Sequence, residues 1–598
     1  VATWCALEVP WGHLLYPPKK RLLVSFGDLD DMTDGLLIHS ENFQALNLLS
    51  VLYREQIDGI YIDPPYNTDA GPILYKNDYK NSSWITMMAD RIQWSRILLK
   101  TTGVLCATID DYEQKELHFL LQREYGLENI AGTVTIRSNP SGRPVPSGFA
   151  QSHEYAIFAT KTAGASIRNL PRTEAQAARY RHGDSQGAYM WELFRKRGSG
   201  SEHRDRPSLY YPVYVKGERV RVPEMEWDED QRTWRVSEEP EAGEIVAYPI
   251  DEAGTERRWR GEPAGIERHP ENYRAKIESD QVTIYYKFRP RSEGVLPLTV
   301  WSDAKYSATE HGTGFLKHYF SQYSVFSYPK SIYAVEDCLR VSGLSEEGGI
   351  ACDFFAGSGT TGHAVINLNR EDGGYRKFIL VEIADYFNTV LLPRLKKVTF
   401  SPEWKDGKPK RLATQQEAER SPRIVKYIRL ESYDDALNNI AFDEQAGQLA
   451  LPFDDYLLKY MLAWETRDCE TFLNVDKLAS PFHYKLTIFE NGEHREKPVD
   501  LPETFAYLLG LHVKTRHVCH DDGRRYLVYR GVVDNRETVV IWRETAGWQE
   551  QDYIRDRDFV VAQGLAEGAD EILVNGDSLV PGARSLDPVF KSRMFGGL

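Results

Sequence analysis

Ile350-Ala351-Cys352-Asp353-Phe354-Phe355-Ala356-Gly357-Ser358-Gly359-Thr360-Thr361-Gly362 is the stretch that decides the fold. An apolar run of strand character ends at a carboxylate and turns through two glycines. It then enters a segment with Ala364, Val365 and Leu368 at helical spacing. G-x-G-x-x-G in that setting lets backbone approach a ligand closely and aims a helix N-terminus at it. Lys377 to Val381 reads as the next strand and ends at Glu382, 20 residues beyond Gly362, where a carboxylate suits ribose hydroxyls. Dinucleotide sites use the same physics, so the glycine loop alone leaves both readings open.

Working back along the chain, Leu36-Leu37-Ile38 is a short strand that runs into Ser40-Glu41-Asn42. A helix follows, with Phe43, Leu46, Leu49 and Leu52 on one face. Ile60-Tyr61-Ile62 is the next strand, and it opens into Asp63-Pro64-Pro65-Tyr66. A helix is expected from about Trp84 to Leu99, then a strand at Val104–Ala107, then Asp110-Asp111. This alternation implies parallel strands joined by crossovers, the α/β class. Adjacent prolines fix φ and cannot continue a ladder. The loop therefore carries acceptor carbonyls between a carboxylate and an aromatic ring, an arrangement suited to a planar base with an exocyclic amine.

The pattern changes after about Thr133. Asn139-Pro140-Ser141-Gly142-Arg143-Pro144 is turn-rich, His153 to Phe158 has strand character, and residues 160–300 are rich in Arg, Tyr, Trp, Gly and Pro. We read an insert that interrupts the α/β unit. The chain carries a net charge of −15, which argues against a protein that coats nucleic acid. Between Arg137 and Arg206, however, twelve Lys/Arg face six Asp/Glu, so a basic face is expected there. Candidate DNA contacts are Arg137, Asn139, Arg143 and the triplet Arg195-Lys196-Arg197.

The expected organisation is an N-terminal extension (1–34), a first α/β half (35–135), the insert (136–300) and a second α/β half (301–400). A linker (401–423) and a smaller α/β domain (424–598) follow. In the last, Leu457, Met461 and Trp464 mark an amphipathic helix, and Tyr526–Arg530 with Val539–Trp542 flank Asp534-Asn535 like a hairpin. The six cysteines are scattered without a C-x-x-C pair, as in a reducing cytoplasm. His517, Cys519 and His520 lack a second ligand pair nearby and read as ordinary surface residues, and no metal is expected. No run is long and apolar enough to suggest a membrane span, and the first residues show no basic-then-apolar leader. The expected location is the cytoplasm.

Asp353–Gly362 together with Asp63-Pro64-Pro65-Tyr66 resembles the amino-group DNA methyltransferases that use S-adenosylmethionine. The proline loop comes first, which is the circularly permuted order of the β group. Further stretches resemble the modification subunits of type III restriction–modification systems. They are Ser40–Asn42, Ile62–Thr68, Ser83-Trp84, Met87-Met88, Ile109–Asp111, Tyr328–Ser331 and Leu586–Lys591. The resemblance implies a Rossmann-like methyltransferase sheet with an inserted target-recognition domain. It places Asp63, Pro64, Pro65 and Tyr66 on the target base. It places Phe355, Ala356, Gly357, Ser358, Gly359, Thr360 and Glu382 on the cofactor, supported by Lys330, Glu41 and Asn42, with Asp353 bracing the loop. The implied reaction is methylation of adenine N6 in double-stranded DNA by a homodimer that also serves an ATP-dependent restriction (Res) subunit. Cytosine N4 as target, a recognition subunit without catalysis, and an RNA or protein substrate are the alternatives. All of these require the two loops to adjoin at the carboxyl ends of neighbouring strands.

Overall fold

The computed structural model describes residues 2–6, 28–67, 81–142, 148–278, 281–290, 294–320, 325–432, 434–435, 439, 475–490 and 493–595. Arg143 and the helix expected around Leu457, Met461 and Trp464 lie outside the described residues. The chain divides into two units, Val1–Arg168 with Pro297–Leu598, and Asn169–Leu296.

Ten strands form the main sheet of the first unit: β1 (Ala2–Ala6), β2 (Gly35–His39), β3 (Ile57–Ile62), β4 (Leu99–Ile109), β5 (Ile130–Ile136), β6 (Glu154–Thr160), β7 (Val300–Trp301), β8 (Ile350–Asp353), β9 (Lys377–Glu382) and β10 (Ile424–Arg429). Their spatial order is β1-β10-β2-β9-β8-β3-β4-β6-β5-β7. The strands from β10 through β4 run parallel, while β6 pairs antiparallel with both β4 and β5. Four helices matter to the site: α1 (Asn42–Tyr53), α2 (Asn81–Leu98), α3 (Ile332–Val341) and α4 (Thr360–Asp372). Leu46 and Leu49 of α1 and Trp84, Met88 and Ile92 of α2 are fully buried, in one core with Ile60 and Ile62 of β3 and Leu105 of β4. Their helical spacing was the signal for both helices.

The two motif strands are immediate neighbours. β3 and β8 pair in parallel, with Gly59 opposite Ala351 and Ile60 opposite Cys352. From β8 the chain proceeds through α4 to β9 on one side, and from β3 through α2 to β4 on the other. The order of strands reverses between them, and at such a point an open α/β sheet forms a crevice at its carboxyl edge. Asp63 follows β3 and Phe354 follows β8, so both loops leave the sheet at that edge.

Several boundaries differ from the sequence reading. The second unit begins at Asn169, not 136, because β6 stays in the main sheet with Ile157 and Ala159 fully buried. The C-terminal residues cluster with the first unit. There β10 joins the main sheet, and Ile424 and Leu29 share a core with Leu527, Val540 and Trp542 of a five-stranded sheet. The N-terminal stretch carries a strand, β1, antiparallel to β10. The hairpin at Asp534-Asn535 forms, and both residues have positive φ (47° and 64°), as the mirror-image two-residue turn demands.

The second unit contains a four-stranded antiparallel sheet built from His182–Asp184, Gly187–Leu193, Tyr273–Glu278 and Gln281–Phe288. Its core includes Phe194, Tyr211, Val213, Trp259 and Ile284.

Candidate active site

The glycine loop is built by what lies beneath it. Asp353 Oδ1 accepts from the Phe355 N–H (3.0 Å) and Oδ2 from the Thr361 hydroxyl (2.5 Å), so this carboxylate ties the end of β8 to the first turn of α4. Burial pushes its pKa up to about 7. Gly357 and Gly359 have φ of 53° and 79°, a region L side chains avoid. Gly362 serves packing instead. A Cβ there would lie 2.8 Å from Leu380 and 2.9 Å from Leu395, so its absence lets α4 sit close to the sheet.

Glu382 closes the loop from the next strand. Its Oε2 accepts from the Gly357 N–H, and its Oε1 from the N–H groups of Ile383 and Ala384, each at 2.9 Å. Burial raises its pKa, and these backbone donors oppose that rise. Arg394, fully buried, donates through Nη1 to the Ser358 hydroxyl and the Thr360 hydroxyl, both at 2.9 Å. Burial holds its pKa down at about 10. Arg394 escaped the sequence reading because one arginine in an amphipathic helix looks like a surface residue.

Glu41 and Asn42 fasten α1 to this loop. Glu41 caps the helix, accepting from the N–H groups of Phe43 (2.7 Å) and Gln44 (3.2 Å). Asn42 donates to the Phe354 carbonyl at 3.0 Å. Arg91 of α2, also unanticipated, joins the two, reaching Glu41 Oε1 and Asn42 Oδ1 at 2.5 Å each.

On the neighbouring strand the proline loop is held by Trp84, whose indole N–H donates to the Pro65 carbonyl at 2.9 Å. Asp63 Oδ1 accepts from the Thr108 hydroxyl and from Lys330 Nζ, each at 3.0 Å. The same ammonium lies 2.7 Å from Glu154 Oε2 and 4.5 Å from the centre of the Tyr66 ring, and it donates to the Tyr66 hydroxyl. Tyr66 in turn donates to Glu154 at 3.1 Å. Burial raises the Asp63 pKa, Lys330 opposes that rise, and Glu154 adds to it. Burial also works against the charge on Lys330, but Asp63 and Glu154 overcome it and hold its pKa above the ordinary value.

Lys330, expected to support the cofactor, contacts Asp63 and Tyr66 of the proline loop. Glu154 and Thr108 join it there, and neither carries a sequence signal, because Thr108 merely follows the apolar run Val104–Ala107 and Glu154 merely opens β6.

The candidate DNA contacts do not form one group. Arg137 is exposed and donates to the Pro140 carbonyl at 3.1 Å, and Asn139 sits in the turn that follows. Arg195 is buried in the second unit, donating to the Ile250 carbonyl (2.7 Å) and to Glu252 (2.6 Å), which marks it as a brace within that unit. Lys196 is half-buried and Arg197 exposed. His517, Cys519 and His520 lie along the strand His512–Asp521. Among the described residues, ligand atoms of Asp28, Asp31 and His512 gather within 4.8 Å. No helix among the described residues is long and apolar enough to cross a membrane.

A family model described as DNA methylase matches residues 57–391. The type II methyltransferase M.KpnI of Klebsiella pneumoniae is 31% identical over 363 residues, covering 59% of this chain and 81% of that protein. The EcoPI Mod subunit of a type III restriction–modification enzyme from Escherichia phage P1 is 28% identical over 393 residues, covering 60% of this chain and 58% of that protein. Thus the aligned part spans somewhat over half the length of that Mod subunit. The solved complex of M1.HpyAVI with SAM is 13% identical and covers 60% of this chain and 99% of that one, with a TM-score of 0.28. With the family model spanning both loops and the strands that carry them, this chain belongs to the DNA methylase family.

Proposed function

We propose that this chain transfers a methyl group from S-adenosylmethionine to N6 of an adenine flipped out of duplex DNA, at sites chosen by the second unit. The observation that carries the reading is the parallel pairing of β3 with β8, which sets Asp63-Pro64-Pro65-Tyr66 beside Phe355–Thr360 at one edge of the sheet. The glycine-loop backbone, the N-terminus of α4 and Glu382 suit a nucleoside-bearing cofactor, and Phe355 to Thr360 with Glu382 would hold it. When bound, S-adenosylmethionine supplies a methyl group activated by a sulfonium.

The chain's own groups prepare the acceptor. An adenine amine is a poor nucleophile because its lone pair is delocalised into the ring. Asp63 and the Pro64 carbonyl accept its two hydrogens, the nitrogen gains sp³ character, and its lone pair turns toward the glycine loop. Catalysis is then positioning and electrostatics. Extruding the base costs about a few kcal/mol. Stacking on Tyr66 returns roughly 1–3 kcal/mol. Aspartate at the first position of the proline motif favours adenine N6 over cytosine N4.

The Mod relatives support a role as the modification and specificity subunit of a type III system, acting as a homodimer with an ATP-dependent Res subunit. The type II relative supports a second reading, a modifier that works without one. Incubating the protein with unmethylated plasmid DNA and labelled S-adenosylmethionine, then digesting to nucleosides, tests the chemistry. N6-methyladenine is expected. N4-methylcytosine would replace the target assignment, and DNA binding without label would leave only recognition.

A further inference from the structure

We propose that the Lys330 ammonium holds, in the base-free protein, the place of the target amine, and that Glu154 is the berth that keeps it when the base enters. This rests on the adenine reading above. A target amine must donate to Asp63 while its ring lies against Tyr66. Lys330 already meets both conditions, 3.0 Å from Asp63 Oδ1 and 4.5 Å from the centre of the Tyr66 ring. An ammonium and a purine cannot share that face, so one displaces the other.

The exchange has a track. Glu154, the first residue of β6, already takes the ammonium at 2.7 Å, and its side chain is only 9% exposed. The backbone beside Lys330 is fixed, because Ser331 donates to the Lys305 carbonyl at 2.7 Å where α3 begins. The flexible stem of a lysine lets the charge move while its root stays in place. Lys330 is thus a positioning residue that acts twice. Before the base arrives its charge offsets part of the burial that disfavours the Asp63 carboxylate, and afterwards it stays close enough to Glu154 to leave the carboxylate to the amine. Tyr61, Glu154, Tyr386, Asp353 and Cys338 also face this cluster. Tyr61 is pushed well above its usual range by burial, with Asp63 and Glu154 adding, so it stays neutral.

The test uses the full chain, unmethylated plasmid DNA and labelled S-adenosylmethionine, with calorimetric titration of the cofactor to confirm that each variant is folded. With Lys330→Met the acid limb of the kcat/KM profile for DNA, which reports the base-free protein, should move up by about one pH unit or more, so that kcat/KM on the acid side falls roughly tenfold and recovers as pH rises. Above that limb the KM for DNA should fall, because the competitor is gone. Lys330→Arg should restore the acid limb. Glu154→Gln should raise the KM for DNA and change kcat less. A Lys330→Met profile lowered by one factor at every pH with unchanged KM, or a silent Glu154→Gln, would overturn the inference and leave Lys330 a strut. A wild-type chain that transfers no methyl group would remove the inference together with the reading beneath it.

Discussion

Asn42, at the start of one helix, donates its side-chain amide to the carbonyl of Phe354 at 3.0 Å across a sequence separation of 312 residues. That one bond joins the turn after β2 to the glycine loop after β8. Arg91 sets its direction by holding Asn42 Oδ1 and Glu41 together.

Asn42→Ala should therefore loosen the cofactor loop without touching the proline loop. A lost buried hydrogen bond costs about 1–3 kcal/mol when its partner is left unsatisfied. We expect S-adenosylmethionine to bind about tenfold more weakly by calorimetry, with kcat at saturating cofactor close to wild type. Unchanged affinity would show that the Glu41–Asn42 turn supports the fold alone.

Asp63→Ala should separate the two loops in the opposite sense. Asp63 hydrogen bonds to Thr108 and Lys330, while the glycine loop is held by Asp353, Glu382 and Arg394. Methyl transfer should fall by about 10²-fold or more, in line with losing one oriented acceptor. Cofactor affinity should remain. If turnover survives in the labelled-methyl assay, another group accepts the amine hydrogens.

The basic triplet divides along burial. Arg195→Ala strands the Ile250 carbonyl and removes packing in the second unit. Its partner Glu252 has a 67% exposed side chain, so the ion pair itself adds little. We expect a cost of about 1–3 kcal/mol, read as earlier thermal or protease-detected opening of that unit. Lys196→Ala with Arg197→Ala should leave stability alone and reduce the salt dependence of DNA affinity. An unchanged salt slope would remove that segment from the DNA-binding surface.

What was legible in the sequence was contiguous. Strand, loop and helix follow one another within a few residues at Asp63-Pro64-Pro65-Tyr66 and at Asp353–Gly362, so each motif announced its own local structure. Contacts that act across the fold left no such mark. Arg394, Arg91, Thr108 and Glu154 each appear as one polar residue in an apolar or amphipathic pattern, and only the strand order brings them under the loops. The contacts of Lys330 with Asp63 and Tyr66 are equally unmarked, since its position before α3 fixes no distance to either loop. The edge of the insert is equally hard to read, because β6 follows turn-rich sequence and its pairing with β4 is non-local.

The charge state of Asp353 couples the glycine loop to pH. Burial raises its carboxyl pKa to about 7, above the ordinary carboxylate range. A group raised on folding contributes stability that is present in full below its unfolded pKa and is lost as pH rises through the folded one. For Asp353 that window runs from about pH 4 to about pH 7. Across it the base-free protein should lose stability of order a few kcal/mol from this site, relative to a partner that cannot ionise. Asp353→Asn is that partner: its amide oxygen accepts from the Phe355 N–H, and its amide nitrogen faces the Thr361 hydroxyl. The difference in denaturant midpoint between wild type and Asp353→Asn should therefore shrink or reverse in favour of the variant between pH 4.5 and 8. A difference constant over that range would mean that Asp353 keeps one charge state throughout, and that the hydroxyl of Thr361 holds it.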